Sequence, residues 1–300
     1  MHKNKTQETY HKSVLVNEVL QYLNPQPGKT YLDVTFGGGG HSRAILEHEP
    51  TCNVIGLDWD MTAIEKNAPP LTTEFEERFK ILWGNFTNIK ILLKKEGISH
   101  VDGILADFGT SQYQIFEKEG FSFATNTPLD MRMSTAHFRI TAADVVNKYS
   151  EKDLASILFE YGEESRSRKI AAAIVEYREH TKFLTTQQLV SLIETIIPHR
   201  FSHIHPATKT FQALRIEVNQ ELKNIQHFLK SALEILNPNG TLVCISFHSL
   251  EDRIVKTFFK EISGQVNVLT NKPVQASDEE IKLNASSRSA KLRAIKKNNA

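Results

Sequence analysis

Strand-like and helix-like segments alternate through the first third of the chain, and this alternation constrains the fold more than any other feature. Residues 30–35, 53–58, 79–83 and 101–107 are strand-like, and helix-like stretches lie between them. Alternation of this kind predicts right-handed βαβ crossovers, and therefore a parallel sheet covered by helices. We predict an α/β fold of the Rossmann-like type, with a fifth strand at residues 241–247.

The alternation stops near residue 113. Residues 113–205 contain helix-like stretches and no strand-like one. Residues 211–236 then predict one long helix, ended by the turn-forming sequence Asn237-Pro238-Asn239-Gly240. The simplest interpretation is a discontinuous α/β domain, residues 1–112 and 206–300, interrupted by a mainly helical insert, residues 113–205.

The composition is that of a globular protein. Lys and Arg number 36 and Asp and Glu 35, with 40% hydrophobic and 24% charged residues. No apolar stretch approaches the roughly 20 residues needed to span a bilayer, and the N-terminus lacks a signal-peptide core. The two cysteines, Cys52 and Cys244, lie in apolar segments and are expected to be buried thiols. The sequence predicts a cytoplasmic protein with no membrane partner, and argues against secreted and zinc-ribbon classes.

Basic residues concentrate at the C-terminus. From Lys282 to Ala300 there are six Lys or Arg residues and no acidic one. Such a segment could contact phosphate groups, or it could be a solvated, frayed terminus. The charge pattern does not separate these two interpretations.

Chemically useful residues follow the predicted strands, where ligands bind in open α/β sheets. Asp33 ends the first strand just before the glycine loop, residues 37–40, and Asp58 ends the second strand, 21 positions after Gly37. Glycines allow close backbone approach to a ligand, and an acid at this distance can hold a ribose. Asp107 ends the fourth strand, and Ser246 and His248 end the fifth. The pattern indicates an adenosine-containing ligand.

The charge of this edge favours one adenosine ligand over others. No Gly-Lys-Ser/Thr follows the loop, and Ser42 stands where a dinucleotide fingerprint has its third glycine. Carboxylates at Asp33, Asp58 and Asp107 would repel a polyphosphate but suit the cationic S-adenosylmethionine. Alternatively, Asp33 could cap the turn, Asp58 could be a helix N-cap, and His41 could make a structural hydrogen bond.

Metal binding is not predicted. Three histidines, at positions 199, 203 and 205, resemble a metal cluster, but no cysteine or suitably placed carboxylate completes the set.

Long irregular strings along almost the whole chain resemble one family. They are His11-Lys12-Ser13-Val14-Leu15, Thr35-Phe36-Gly37-Gly38-Gly39-Gly40-His41-Ser42, Gly120-Phe121-Ser122-Phe123, Pro128-Leu129-Asp130-Met131-Arg132-Met133, Tyr161-Gly162-Glu163-Glu164, His205-Pro206-Ala207-Thr208-Lys209-Thr210-Phe211-Gln212-Ala213-Leu214-Arg215-Ile216, Ile245-Ser246-Phe247-His248-Ser249-Leu250-Glu251-Asp252-Arg253 and Ser287-Arg288-Ser289-Ala290-Lys291-Leu292-Arg293. With these strings the sequence closely resembles the RsmH (MraW) family, which methylates the exocyclic N4 of a cytosine in bacterial 16S ribosomal RNA.

The resemblance implies a Rossmann-like methyltransferase with a helical insert on the RNA-substrate side. Its partner would be 16S ribosomal RNA within a small ribosomal subunit or its precursor. The S-adenosylmethionine contacts that it implies are Gly39, Gly40, His41, Asp58, Phe86, Asp107 and Gln114. The chain departs from the family at Thr110 and Gln112, in the loop after the fourth strand, and at Lys209, where Arg is commoner.

The reaction would be attack by the cytosine amino nitrogen on the sulfonium methyl. That nitrogen is a poor nucleophile because its lone pair is delocalised, so an acceptor on its N–H would help. Asp107 is the first candidate, with Ser246 and His248 second. Phosphate contacts are predicted at Arg132, Lys209, Arg215 and Arg253. A methyltransferase for another nucleic-acid or protein amino group, or a non-catalytic RNA-binding assembly factor, would also fit the residues.

Overall fold

The computed structural model describes residues 13–109, 118–197 and 204–299. The chain divides into two compact units, one formed from Met1–Ser111 with Asn224–Ala300 and the other from Gln112–Lys223. These units are defined by packing alone, so the predicted domains, 1–112 with 206–300 and 113–205, stay a prediction.

The first unit is built on a seven-stranded sheet with the order β3-β2-β1-β4-β5-β7-β6. Five strands are parallel neighbours: β1 (Thr30–Asp33), β2 (Asn53–Asp58), β3 (Phe79–Trp83), β4 (Val101–Asp107) and β5 (Leu236–Ser246). The α/β prediction is confirmed, and β2, β3 and β4 have the predicted bounds. The strand order reverses between β1 and β4, which makes their carboxyl ends the expected ligand edge.

The basic C-terminal segment is part of this sheet. Strand β7 (Lys291–Lys297) pairs antiparallel with β5 on one side and with β6 (Val266–Val268) on the other. Leu292 and Ile295 are fully buried, and the Arg293 guanidinium donates to both carboxylate oxygens of Asp252, at 2.6 and 3.1 Å. The interpretation of this segment as a frayed terminus was therefore wrong for β7, because Leu292, Ala294 and Ile295 are buried in the cores on the two faces of the sheet.

Helices of the first unit cover the sheet. Four precede the second unit in the chain: α1 (Val16–Leu23), α2 (Gly40–His48), α3 (Met61–Phe75) and α4 (Ile89–Lys95). Three follow it: α10 (Glu221–Ile235), α11 (Ser249–Glu261) and α12 (Asp278–Leu283). Helix α3 continues through Pro69 and Pro70, and its later residues Leu71 and Phe75 are buried. Consecutive residues of β1, Tyr31 and Leu32, belong to different apolar clusters, as expected for a sheet packed on both faces.

The second unit is helical in its described residues. It contains α5 (Ala142–Lys148), α6 (Glu151–Glu160), α7 (Ser167–His180), α8 (Thr186–Ile196) and α9 (Thr208–Asn219). Its own core includes Phe183, Leu158 and Ile170, all fully buried. Residues 118–197 and 204–223 contain no strand, only the isolated bridge between Pro128 and Thr185. No helix in the described parts of the chain is long and apolar enough to cross a membrane.

Two local predictions between residues 211 and 240 were wrong. The predicted helix over residues 211–236 is broken between α9 and α10, where Gln220 adopts a left-handed conformation with φ 50° and ψ 36°. Residues Asn237–Gly240 do not precede the strand but lie within β5, whose register against β4 shifts between Val101 and Gly103. The turn-forming residues therefore make an irregularity in the strand, because pairing resumes on both sides of them.

Candidate functional site

The glycine loop between β1 and α2 is held by side chains at the ends of neighbouring strands. Gly37 and Gly39 have positive φ angles of 50° and 74°, which favour glycine. The Gly37 amide donates to Asp58 Oδ2 at 2.7 Å, and the Asn67 side-chain amide donates to the Gly37 carbonyl at 2.9 Å. The carboxylate that ends β2 thus fixes the start of the loop that follows β1.

Asp58 is buried, and its carboxylate accepts hydrogen bonds from two backbone amides. Besides the Gly37 amide, the Asp60 amide donates to its Oδ1 at 2.8 Å. Burial raises the pKa of Asp58 from 3.8 to about 6, while the two amides oppose the rise and the neighbouring Asp60 and Asp33 add to it. Each carboxylate oxygen has a second lone pair, so Asp58 can still accept from a ligand hydroxyl. Asp60, not Asp58, is the N-cap of α3, since its side chain accepts from the Thr62 amide.

Asp107, at the end of β4, has an enclosed acceptor. Its Oδ1 is buried and has no hydrogen-bond partner among the described residues. Its amide donates to Thr35 Oγ1 at 2.8 Å, which ties the end of β4 to the loop after β1. Burial raises the pKa of Asp107 to about 6; His41 opposes this, whereas Asp33 and Glu251 add to it. A carboxylate with an enclosed, free oxygen is able to accept a proton or a hydrogen bond near neutral pH.

Asp33 and His41 have partners within the protein. Asp33 is buried and accepts from Ser42 Oγ at 2.7 Å and from the Thr35 amide at 3.2 Å, and burial raises its pKa. His41 Nε2 lies 2.8 Å from the Val14 carbonyl. The alternatives that Asp33 caps the turn and that His41 makes a structural hydrogen bond are therefore both observed.

The two glycines before His41 are tightly packed. A Cβ on Gly40 would overlap Ser13 Oγ, and one on Gly39 would lie 2.9 Å from the Phe36 ring. A larger residue at either position would therefore require Ser13 or Phe36 to shift. Their predicted contact with a cofactor stays a prediction.

An aromatic group lies beside Asp58. Phe86 is partly exposed, and its ring centroid lies 5.7 Å from that of Trp59, 5.4 Å from that of Phe228 and 6.3 Å from that of Phe108. Trp59 was missed by the sequence analysis, although its place directly after Asp58 was a usable signal. The rings give this edge of the sheet an apolar wall next to the acid, as a nucleoside requires.

Ser246 and His248 hold the turn from β5 into α11. Ser246 is buried and its hydroxyl donates to the Lys291 carbonyl of β7 at 3.3 Å. His248 Nε2 lies 3.2 Å from Glu251 Oε1, and Glu251 Oε2 accepts from the Phe247 amide at 2.8 Å. Glu251, fully buried, was missed by the sequence analysis. Asp107 Oδ1 and both ring nitrogens of His248 are buried without a hydrogen-bond partner among the described residues, whereas the Ser246 hydroxyl has one. The catalytic roles of all three stay predictions.

Three of the predicted phosphate-binding residues make contacts within the second unit. Arg132 forms a bidentate pair with Asp130 at 2.7 Å for both bonds, and Arg215 forms one with Glu221 at 3.0 Å. Lys209 Nζ donates to the Glu163 carbonyl at 2.9 Å, which uses one of its three N–H groups. Arg253, in the first unit, is exposed on α11.

Some predicted residues cannot be placed. Gln114 lies outside the described residues, as do Thr110, Gln112, His199 and His203. His205 stacks on Phe123 with ring centroids 4.4 Å apart, and its Nε2 lies 3.4 Å from Glu194 Oε1.

The strand-end residues of the first unit fit S-adenosylmethionine. The decisive observation is that two carboxylates end β2 and β4, on either side of β1 and its glycine loop. Asp58 is buried, and Asp107 is part-buried with an enclosed Oδ1. Such a site would repel a pyrophosphate and attract a cation. The partly exposed Phe86 ring supplies an apolar surface for a base.

The known proteins to which this chain is similar are methyltransferases by name. A model of the MraW methylase family matches residues 8–298. The chain is 47% identical over 287 residues to ribosomal RNA small subunit methyltransferase H of Sulfurihydrogenibium sp. strain YO3AOP1, covering 94% of this chain and 97% of that one. It is 47% identical over 292 residues to the protein of the same name from Deinococcus deserti, covering 96% and 93%. Among solved structures, an rRNA methylase from Streptococcus thermophilus is 8% identical with a TM-score of 0.45, covering 95% and 94%.

Proposed function

Because the chain belongs to the MraW methylase family, we propose that it transfers a methyl group from S-adenosylmethionine to the exocyclic N4 of a cytidine in 16S ribosomal RNA. Its substrate would be that RNA within a small ribosomal subunit or its precursor, in the cytoplasm. The observation that supports this chemistry most is the enclosed Oδ1 of Asp107, which has no partner among the described residues and lies at the ligand edge of the sheet.

The cofactor would be held by the residues around the glycine loop. Asp58 is suited to the ribose hydroxyls, Phe86 to the adenine face, and the loop backbone at Gly39 and Gly40 to the methionine portion. His41, Asp107 and Gln114 complete the proposed set. When bound, S-adenosylmethionine supplies a methyl group on a positively charged sulfur, which buried carboxylates favour electrostatically.

Asp107 would act on the nucleophile. A cytosine amino nitrogen shares its lone pair with the ring, and a hydrogen bond from its N–H to Asp107 Oδ1 would draw the lone pair back to the nitrogen. The amino group loses one proton as its new N–C bond forms, and the Asp107 carboxylate would receive it. With a pKa of about 6, Asp107 is ionised at neutral pH and still basic enough for this step.

The target base has to leave any stack to reach a strand-end pocket. Of the cations predicted to contact RNA, Lys209, which donates to a carbonyl, is better suited to bind phosphate than Arg132 and Arg215, whose guanidinium groups already face carboxylates. All four, Arg253 included, stay candidates.

Product analysis tests the reaction. We expect the purified protein to transfer labelled methyl from S-adenosylmethionine to small ribosomal subunits, and nuclease digestion of the RNA to release label only as N4-methylated cytidine. Isolated 16S ribosomal RNA, measured in parallel, separates naked RNA from assembled particles as substrate. Label on another base or on protein would contradict the proposal, and cofactor binding without any transfer would indicate an assembly factor instead.

The role of Asp58 is tested by a conservative substitution. We expect Asp58→Asn to weaken binding of S-adenosylhomocysteine at least tenfold, because hydrogen bonds to a charged acceptor contribute about 1.5–3 kcal/mol. Isothermal titration calorimetry measures the effect. Asp60→Asn is the matched control, since asparagine caps a helix about as well as aspartate, and its affinity should equal that of the parent. Equal losses in both variants would argue against a specific ribose contact.

A further inference from the structure

A groove in the second unit lies between helices α6 and α7. It has a volume of about 1070 Å³ and is open to solvent along one side. The α6 side contributes Lys152, Ser156 and Phe159, and the start of α7 contributes Ser167, Arg168 and Lys169. None of the residues discussed so far as cofactor or catalytic groups lines it.

The groove is basic. Four of its lining residues are cationic and two, Glu151 and Glu160, are anionic. Lys152, Arg168 and Lys169 are exposed and have no carboxylate partner in the described parts of the chain. The fourth cation, Arg166, donates to the Ile196 carbonyl at 3.0 Å, which fixes its guanidinium at the mouth of α7. Three positive charges therefore remain available to an anionic ligand.

The start of α7 offers additional donors. The helix is 14 residues long, and its N-cap residue, Arg166, provides no side-chain cap. Of its first-turn amides, those of Arg168 and Lys169 have no acceptor among the described residues, so they carry the positive end of the helix dipole. Ser167, which lines the groove, is only 5% exposed, and its hydroxyl has no hydrogen-bond partner in the described chain. A hydroxyl without a partner, on a mostly buried residue that lines the groove, forms with the two amides a donor set suited to a phosphate.

An aromatic ring stands beside these donors. Phe159 is 63% exposed, although α6 buries its other large apolar residues, Leu154, Ile157 and Leu158. An exposed ring within a basic groove is the arrangement on which proteins stack the bases of single-stranded nucleic acids. An isolated phosphate would not use this ring.

We infer that the α6–α7 groove binds single-stranded RNA, with a backbone phosphate at the amides and hydroxyl of the α7 N-terminus and an adjacent base stacked on Phe159. Arg168 and Lys169 neutralise the phosphates on either side. The choice of RNA as the ligand rests on the proposed function, but the groove is a second RNA contact, separate from the strand-end site.

Direct binding tests the inference without relying on methyl transfer. The probe is a fluorescein-labelled single-stranded oligoribonucleotide of about 12 nucleotides. Its binding to the protein is measured by fluorescence anisotropy at several salt concentrations. We expect the double variant Arg168→Ala/Lys169→Ala to bind about tenfold more weakly. Its plot of log affinity against log salt should have a slope smaller by about 1.4, because each phosphate neutralised on a single strand contributes about 0.7 to the slope.

The aromatic ring is tested separately. Phe159→Ala should weaken RNA binding about tenfold with an unchanged salt slope, and Phe159→Tyr should restore the affinity.

The matched control is Lys94→Ala/Lys95→Ala, which removes two exposed adjacent cations from α4 in the first unit. It should bind RNA within twofold of the parent, and all variants should bind S-adenosylhomocysteine as the parent does. An equal loss in the control, or parent-like RNA affinity in the groove variants, would overturn the inference. The inference would also be overturned by groove variants that lose only the binding of inorganic phosphate, measured by its competition with the RNA probe. A parent protein that binds the probe but methylates no RNA would refute the proposed function instead.

Discussion

Truncation of the chain after Lys282 should abolish folding of the first unit. The deleted segment contains β7, which forms ladders with both β5 and β6, and buries Leu292, Ala294 and Ile295. Each large apolar side chain contributes about 1.5–3 kcal/mol when buried, and a typical domain is stable by only about 5–15 kcal/mol. The truncated protein should be insoluble, or lack a cooperative thermal transition by circular dichroism.

A charge-only variant is the control for that truncation. Arg288→Ala/Lys296→Ala removes two exposed cations from the same segment and keeps the strand, so its melting temperature should stay within a few degrees of the parent's. Any contribution of these charges to RNA binding has to be measured on this variant, because the truncation removes a structural strand. A truncated chain that melts cooperatively at the parent temperature would contradict the placement of β7 in the sheet.

Asp107→Asn should lower the rate of methyl transfer by about a hundredfold or more while the protein stays folded. The amide has nearly the shape of the carboxylate but cannot accept a proton, and general-base steps contribute about 10²–10⁴-fold. The kcat for RNA should fall far more than the affinity for S-adenosylhomocysteine. In the parent, kcat/KM should rise as the pH passes upward through about 6, where Asp107 ionises. An unchanged kcat would remove Asp107 from the mechanism.

The same substitution should make the fold more stable at neutral pH. In the parent, the pKa of Asp107 rises on folding from 3.8 to about 6, so its ionised form is disfavoured in the folded protein. The cost is absent below pH 4, grows between pH 4 and 6, and is constant above pH 6. It is at most about 3 kcal/mol, and because Asp107 is partly solvent-accessible we expect a gain of about 1 kcal/mol for Asp107→Asn. Urea unfolding at pH 7.5 and pH 4 should show that gain only at the higher pH.

Local sequence patterns predicted the parallel strands well but missed contacts between distant residues. Strands β2, β3 and β4 are short apolar runs bounded by polar residues, and their bounds follow from the pattern alone. Strand β7 carries four basic residues in seven, and its apolar residues, Leu292, Ala294 and Ile295, do not follow a regular alternation, so no strand pattern was evident. Its Arg293 is neutralised by Asp252, 41 residues away, a pairing that no local pattern contains.

In the candidate site, too, local patterns predicted some residues, whereas contacts between distant residues were missed. The acids Asp58 and Asp107 could be predicted because each ends an apolar strand. The roles of Thr35, which accepts from the Asp107 amide, and of Glu251, which holds the turn after β5, depend on partners brought together by the fold. Gly39 and Gly40 were predicted from a motif, yet the contacts that a larger residue would disturb there come from Phe36 and Ser13.

The position of β5 between β4 and β7 has a consequence for the order of folding. The first four strands are joined by short crossovers and can pair among themselves, but β4 and β5 are separated in sequence by the whole second unit. Contacts between such distant segments form slowly, because a long loop has to close first. Until β5 arrives, β4 has an unpaired edge that can join a strand from another chain. Protection of that edge during synthesis would decide how much of the protein escapes aggregation.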